Sequence, residues 1–406
     1  MTVEIITFGC RLNAYESAAM QELQGLPGNV IIVNTCAVTG EAERQCRQAI
    51  RKLRREHPEA FLIVTGCAAQ IAPEVYAQMP EVDRVLGNRE KLDASSFRPE
   101  ADDILVGDVN APLPEGKDLP MPVYFEGRNR AFIQIQQGCD NACTFCIVTR
   151  ARGPNRSLSE DKIIRQAQTL ADHGYGEISL TGVDISAYPD LASLTRRLLK
   201  DVSGLKRLRL GSLDPAAVQD ELIGLLGEYE TLQPHLHLSV QSGDDMVLKR
   251  MARRHCRQDV LELCAKIRAV RPDVVFGADF IAGFPTETEA MHKNTEALIR
   301  EAGITHLHVF PYSVRPGTPA AKMPQIPIPV RKERARRLRE IGEELLLRYM
   351  ESRINTKAVV LYETDGKGLC EQYLSVKIGT GFQSGEFVPV LLTGIAGTGV
   401  FEGRVL

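Results

Sequence analysis

The sequence predicts an α/β protein in three parts: a doubly wound parallel-sheet domain, a partial (βα)6 barrel and a small antiparallel β-barrel. Three observations carry this. Short all-apolar runs alternate with helical stretches over the first ~90 residues, which is the pattern of a parallel sheet covered on both faces. The alternation resumes after a proline-rich break, with a period of roughly thirty residues. The last ~53 residues then switch to glycine-punctuated, valine-rich runs without helical period.

In the first part, strand-like runs cover Val3–Thr7, Val30–Val33, Phe61–Val64 and Val82–Leu86, with helices near Ala14–Leu23, Gly40–Glu56 and Ile71–Met79. A small flavodoxin-like domain is the simplest fold, and its 2-1-3 strand order makes the first three strands neighbours. Residues 110–128, "NAPLPEGKDLPMPVYFEGR", hold four prolines and read as a linker. Six further strands follow at Ala131–Gln136, Glu177–Leu180, Arg207–Leu210, His235–Val240, Val274–Ile281 and His306–Phe310. Helical stretches such as Glu160–His173 and Gln258–Val270 lie between them, and barrels of this kind carry their chemistry at the carboxyl ends of the strands. A basic amphipathic helix near Val330–Ser352, with Ala335, Leu338, Ile341, Leu345 and Tyr349 as its apolar stripe, closes the barrel. The expected domains are 1–109, a linker at 110–128, 129–352 and 353–406.

Bulk properties narrow the class. The 406 residues are 44% hydrophobic and 25% charged, as in an ordinary globular protein. A net charge of −3 exerts no global pull toward nucleic acid or membrane, so any polyanion site is a local patch. No apolar run reaches the ~18 residues that span a bilayer, and the start "VEIITF" lacks a basic leader, so the expected location is cytoplasmic, without membrane contact. Thiols stay reduced there, and the ten cysteines point to metal binding or catalysis ahead of disulfides.

The strongest local signal is "GCDNACTFC", with Cys139, Cys143 and Cys146 just after the first barrel strand. Structural zinc prefers four ligands in close pairs. Three thiolates suit a [4Fe–4S] cluster, holding three irons and leaving the fourth open for an outside ligand. This Cys-x3-Cys-x2-Cys spacing, with aromatic Phe145 before the last cysteine, resembles the radical S-adenosylmethionine (SAM) superfamily. The resemblance implies that SAM chelates the open iron and is cleaved reductively to a 5′-deoxyadenosyl radical.

Three more cysteines end apolar runs: "VEIITFGC" at Cys10, "VIIVNTC" at Cys36 and "FLIVTGC" at Cys67. Adjacent parallel strands lie ~4.8 Å apart with their carboxyl ends on one crevice, so these thiols are expected within about 10 Å of one another, close enough for one cluster. Three separate buried thiols are the alternative reading. Cys46, on the apolar face of a helix with Ala42, Ala49, Ile50 and Leu53, reads as packing, and Cys256, Cys264 and Cys370 read as structural.

With two triads the whole chain resembles the methylthiotransferase family: an N-terminal cluster domain, a central radical SAM domain and a C-terminal TRAM domain. Further matching stretches are "LTGVDISAY", "LSVQSGDDMVLKRMARRH", "DFIAGFPTET" and "HVFPYSVRPGTPAAKM". Within the family, "TFGCRLNAYES", "NTCAVTGEAERQCRQAIRKLRREHP" and "CTFCIVTRARGPNRS" are most similar to the branch acting on N6-threonylcarbamoyladenosine (t6A) of tRNA. The isopentenyladenosine branch tends to read GCQMN at the first cysteine and the ribosomal-protein aspartate branch GCPKN, where this chain reads GCRLN. Thr149 departs from the proline usual after "CIV", a loop substitution. The resemblance implies methylthiolation of carbon 2 of t6A in ANN-decoding tRNA, 3′ of the anticodon. It also implies two [4Fe–4S] clusters, SAM, an electron donor such as flavodoxin or ferredoxin, and a monomer. One SAM would supply the methyl group to a sulfur held at Cys10, Cys36 and Cys67, and a second would be cleaved at Cys139, Cys143 and Cys146. No general acid or base is assigned, because an unactivated aromatic C–H is not open to side-chain nucleophiles.

Strand-end loops are expected to contact SAM through Phe145, Thr181, Gly182, Asp184, Ser212, Gln241 and Ser242, beside a Gly283-Phe284-Pro285 turn. An Asp or Ser in these loops equally suits a helix cap. For tRNA, Arg128, Arg130, Arg150, Arg152 and Arg156 face one acid, Asp140, within residues 127–157. Arg44, Arg47, Arg51, Arg54 and Arg55 line a helix that either holds phosphates or is solvated surface. The C-terminal part has four basic and five acidic residues, so RNA contact there would rest on shape or stacking, with Tyr373 and Phe382 as candidates. From another class, a non-catalytic iron–sulfur protein that senses redox state or binds RNA fits the cysteines alone.

Overall fold

The computed structural model describes residues 3–24, 26, 28–98, 100–112 and 120–406; residues 113–119 of the expected linker lie outside the described residues. The first sheet holds five parallel strands: β1 (Val3–Thr7), β2 (Val30–Thr35), β3 (Phe61–Gly66), β4 (Arg84–Leu86) and β5 (Ile104–Leu105). Their order is β1-β2-β3-β4-β5, not the flavodoxin-like 2-1-3. β2 sits between β1 and β3, with Asn34 opposite both Thr7 and Thr65. Apolar runs announce burial without naming neighbours. The finer signal was Glu4, whose exposed side chain marks β1 as the edge, whereas β2 is buried along its whole length.

Both faces of this sheet are covered. Val30, Ile32, Ile63 and Leu86 pack with Met20 and Phe97 on one side, and Ile31, Val33, Leu62 and Val64 with Ile50, Leu53 and Tyr76 on the other. The covering helices are α1 (Arg11–Gln21), α2 (Gly40–Glu56), α3 (Cys67–Ile71) and α4 (Pro73–Ala77). Thr39 caps α2, its hydroxyl accepting from the Ala42 amide at 3.1 Å. The single helix expected over Ile71–Met79 is instead two short ones, because Pro73 cannot donate to the preceding turn and starts a new helix at its first position.

Six parallel strands build the open barrel: Ala131–Gln134, Glu177–Thr181, Arg207–Arg209 continued as Ser212–Leu213, His235–Gln241, Val275–Ala282 and Ile304–Pro311. The third is broken at Leu210–Gly211, so the first half of the barrel hydrogen-bonds through Arg207–Arg209 and the second through Ser212–Leu213. Helices between the strands, and the closing helix Ile328–Arg353 with Ala335, Leu338 and Ile341, complete one apolar core.

The C-terminal strands Lys357–Thr364, Lys367–Leu369, Ser375–Lys377, Phe387–Gly397 and Val400–Val405 form a closed barrel. It is antiparallel except where Ser375–Lys377 runs parallel to Val400–Val405. Two arginines on the third strand of the large barrel dock it. Arg209 donates to the Cys370 and Glu371 carbonyls at 2.9 and 2.8 Å, and Arg207 to the Leu369 carbonyl at 3.0 Å. Buried Glu177 pairs with both guanidiniums, so the fixed charge at this junction has a partner.

Candidate active site: two thiol triads and a neighbouring cavity

The loop carrying Cys139, Cys143 and Cys146 is pinched at its base by antiparallel pairing of Gln136–Gln137 with Arg156–Ser157. Its sulfurs meet donors. The Asn141 amide lies 3.4 Å from Cys139 Sγ, the Val148 amide 3.4 Å from Cys146 Sγ, and Arg253 Nη1 3.4 Å from Cys143 Sγ. Burial pushes the Cys146 thiol up to about 11, and the charges of Cys143 and Cys139 add to the rise, so the three sulfurs act on one another. A short helix, α5 (Val148–Arg152), leaves the loop toward the first domain.

Cys10, Cys36 and Cys67 stand at the carboxyl ends of β1, β2 and β3. Burial pushes Cys36 up to about 12, with Cys67 and then Cys10 adding to it, so these sulfurs also converge. Two glycines make the approach. Gly9 and Gly66, each preceding a cysteine, have φ of +96° and +97°. A Cβ on Gly9 would lie 2.8 Å from Cys36 Sγ, and one on Gly66 2.4 Å from the Thr35 carbonyl oxygen, so neither site admits a side chain. Cys46 is fully buried on α2, where burial raises its thiol and the Cys36 main chain is its hydrogen-bond partner. Cys264 and Cys370 are buried, and Cys256 caps the helix Arg257–Val270.

One cavity borders both loops. Val38 and Thr39, just after Cys36, line it from the first domain; Phe145, Cys146, Ile147 and Val148 line it from the cysteine loop. The barrel contributes Gln241, Asp279, Ile281, Phe310 and Tyr312, and Arg315 completes the wall. Phe145 and Gln241 are thus brought to the cavity, Gln241 in a left-handed conformation (φ 73°) at a bulge in its strand. The remaining expected SAM contacts do not line this cavity. Asp184 caps the turn after the second strand and accepts from Asn141 at 2.9 Å, Gly182 packs on Gln136, and Ser242 is buried against Thr295. Thr181 is buried and Ser212 half-buried at their strand ends.

Several side chains here were not anticipated from the sequence. Asn141 ties the cysteine loop to Asp184. Arg253 joins Cys143 to the Ser239 carbonyl (2.8 Å) and to Asp214 (3.4 Å). His237 and His308 flank Asp279 at 3.1 and 3.3 Å, and both imidazoles together hold its carboxyl far below the usual range despite burial. The alternation in "HLHL" and "THLHV" was the available signal, since residues two apart on a strand share a face.

The donor sets fit iron–sulfur centres. Each triad offers three soft thiols, and main-chain amides aimed at Cys139 and Cys146 Sγ are the hydrogen bonds that cluster sulfurs accept. The apolar walls of Phe145, Ile281 and Phe310 beside polar Gln241 and Asp279 suit a nucleoside. Comparisons with known proteins agree. Residues 133–316 match the radical SAM superfamily and residues 2–87 the "Uncharacterized protein family UPF0004". The chain is 48% identical to threonylcarbamoyladenosine tRNA methylthiotransferase MtaB of Rickettsia prowazekii, over 97% of this chain and 95% of that one.

The chain belongs to the MtaB family of radical SAM methylthiotransferases.

A second MtaB, from Aquifex aeolicus, is 33% identical over 97% of this chain and its own full length. The tRNA-2-methylthio-N6-dimethylallyladenosine synthase of Cereibacter sphaeroides is 35% identical over 89% of this chain and 87% of its own. Among solved structures, the radical SAM methyltransferase TsrM of Kitasatospora setae superposes with a TM-score of 0.56 at 15% identity, covering 77% of this chain and 66% of that one, a likeness of fold. As a radical SAM enzyme of this family the protein uses SAM and [4Fe–4S] clusters. Among the described residues no helix is long and apolar enough to cross a membrane.

The arginines expected to hold tRNA separate into two groups. Arg152 is buried and paired with Glu16, which removes it from any phosphate surface. Arg156 is half-buried, bonded to the Val109 carbonyl, and Arg130 pairs with Glu363 at 3.3 Å. Arg128 and Arg150 remain exposed. On α2, Arg44 pairs with Glu41 and Arg54 with Asp83. Tyr373 is half-buried, and its ring stacks on His235 at 5.0 Å.

Proposed function

We propose that the protein installs a methylthio group on carbon 2 of N6-threonylcarbamoyladenosine in tRNA. The observation that carries this reading is a cavity lined by Val38 and Thr39 just after Cys36 and by Cys146 of the barrel loop, in a chain 48% identical to an MtaB over nearly its whole length. Cys139, Cys143 and Cys146 would hold the cluster that binds SAM, and Cys10, Cys36 and Cys67 the auxiliary cluster. Bound there, clusters and SAM supply the one-electron chemistry, the methyl group and the sulfur.

The chain's own residues position and enclose. Phe145, Ile281 and Phe310 give the cavity its apolar walls, and the left-handed Gln241 lines it beside Asp279. Arg253 ties Cys143 to the Ser239 carbonyl and Asp214 at the strand ends, and Asn141 fixes the loop through Asp184. Arg128 and Arg150 offer phosphate contacts on the surface. A flavodoxin or ferredoxin would serve as reductant, in the cytoplasm. Mass spectrometry of tRNA nucleosides from a strain lacking the chain tests the reading. Loss of 2-methylthio-t6A with t6A retained is expected; unchanged 2-methylthio-t6A, or loss of the methylthio-isopentenyl nucleoside instead, would reject it.

A further inference from the structure

Behind the auxiliary triad lies a buried ionic cage that the reaction does not use directly. Glu16 accepts from Arg152 through both oxygens, at 2.7 and 2.9 Å, and from Lys91 Nζ at 2.7 Å. The three side chains are 1%, 2% and 0% exposed. They come from three segments: Glu16 from α1 behind Cys10, Lys91 from the turn after β4, and Arg152 from α5, which leaves the Cys146 loop.

Geometry assigns the charges. Lys91 Nζ faces three acceptors, Glu16, Asn88 Oδ1 at 2.8 Å and Asn34 Oδ1 at 3.4 Å, which is the demand of an ammonium group with three protons. The amides are oriented independently. Asn34 Nδ2 donates to the Asn13 carbonyl and to Ser17, Asn88 Nδ2 to the Ala151 carbonyl, and Asn13 Nδ2 to the Phe8 and Thr35 carbonyls. Asn13 Oδ1 is thereby left for Arg152 at 2.7 Å. The cage holds two cations and one carboxylate, a net positive charge in a dry interior. Such a charge costs several kcal/mol unless an anion lies close. Among the described residues Glu16 is the only carboxylate paired with either cation, and it is already shared. Burial works against the charge on Lys91, and Glu16 and the Cys67 sulfur act the other way; the sulfurs of Cys67 and Cys10 act likewise on buried Arg152. Asn88, bonded to Lys91, also sits 4.0 Å from Cys67 Sγ.

We propose that Lys91 and Arg152 supply a fixed positive charge whose counter-ion is the iron–sulfur centre held at Cys10, Cys36 and Cys67, and that they set its reduction potential and its retention. This rests on the ligand assignment above. A cubane core on three thiolates is net anionic and gains a further negative charge on one-electron reduction, so a buried cation beside it favours the reduced form. Because Arg152 follows the Cys146 loop, the same cage fastens one triad to the other.

The test uses the full-length chain with Cys139, Cys143 and Cys146 changed to alanine, which isolates the auxiliary centre. Dithionite titration followed by electron paramagnetic resonance reads its midpoint, and iron retention under chelator reads its hold. Lys91→Met is expected to lower the reduced-to-oxidised ratio at a set potential at least tenfold, about 59 mV for one electron, and to speed iron loss. Glu16→Gln, which leaves the cations unneutralised, is expected to move the midpoint the other way. Should Glu16→Gln not fold, the sign of the Lys91→Met shift decides. A loaded centre whose midpoint is unmoved, or moves upward in Lys91→Met, overturns the proposal while leaving the ligand assignment intact. A triple-alanine chain that binds no iron overturns the ligand assignment and the proposal with it.

Discussion

Arg11 Nη2 donates to the Tyr373 hydroxyl at 3.0 Å, across 362 residues of sequence. Arg11 follows Cys10 in the first domain, and Tyr373 belongs to the C-terminal barrel. The guanidiniums of Arg130 and Arg209, from the large barrel, lie 5.2 and 5.0 Å from the same ring. One aromatic side chain therefore joins all three parts through cation–π contacts and a hydrogen bond. Tyr373→Phe is expected to cost about 1 kcal/mol, the worth of one hydrogen bond. Tyr373→Ala is expected to cost about 3 kcal/mol or more, because it also leaves a cavity among three charges. Urea denaturation of the two variants separates these, and equal losses would contradict a role for the ring.

Cys36→Ala is expected to lower reconstituted iron from about eight to about four per chain, with the SAM-binding centre retained. Cys46→Ala is the control, because its sulfur is buried on α2 and turned to the Cys36 main chain. Iron analysis with Mössbauer spectroscopy checks both. A comparable loss in Cys46→Ala would make it the ligand in place of a triad member.

Arg128→Ala and Arg150→Ala are each expected to weaken tRNA binding and to reduce the salt dependence of affinity by a slope of about 1, as for a lost phosphate contact. Arg152→Leu behaves differently. It strips Glu16 of a bidentate partner in a buried site and is expected to cost about 3–5 kcal/mol of stability. Filter binding at several salt concentrations and thermal melts distinguish the two classes.

His292 provides an acid-side handle. Burial, helped by Arg337 and Arg334, lowers its imidazole to about 4, against about 6.5 for an unfolded chain. Between these values the unfolded chain binds the extra proton, so this contribution is complete above about 6.5 and is lost as pH falls toward 4. Glu287 runs the other way: burial raises it to about 7, so its contribution declines as pH rises from about 4.5 through 7. His292→Leu should flatten the fall in urea midpoint between pH 6.5 and 4.5; an unchanged fall would assign that slope to other groups.

The three strand-end cysteines were legible because parallel strands open their carboxyl ends onto one edge, whatever their order. That order was not legible, since an all-apolar run records burial and not its neighbour. Glycine before Cys10 and Cys67 was visible as a letter, but only the close approach to Cys36 Sγ and the Thr35 carbonyl shows why a side chain is excluded. Arg152 looked like a phosphate contact in a basic stretch. Its partner Glu16 lies 136 residues earlier, and charge read along a chain cannot find a carboxylate brought in by folding. The three arginines gathered around Tyr373 were hidden in the same way.

By itself, then, the sequence determined the chemistry: six thiols in two spacings, the alternation that puts both triads at strand ends, and the family. Folding decided which charges are buried together. Strand order, the Glu16–Lys91–Arg152 cage and the three arginines around Tyr373 all depend on distances between segments remote in sequence. Coulomb and desolvation energies are set by those distances and by the exclusion of water, neither of which a local pattern encodes.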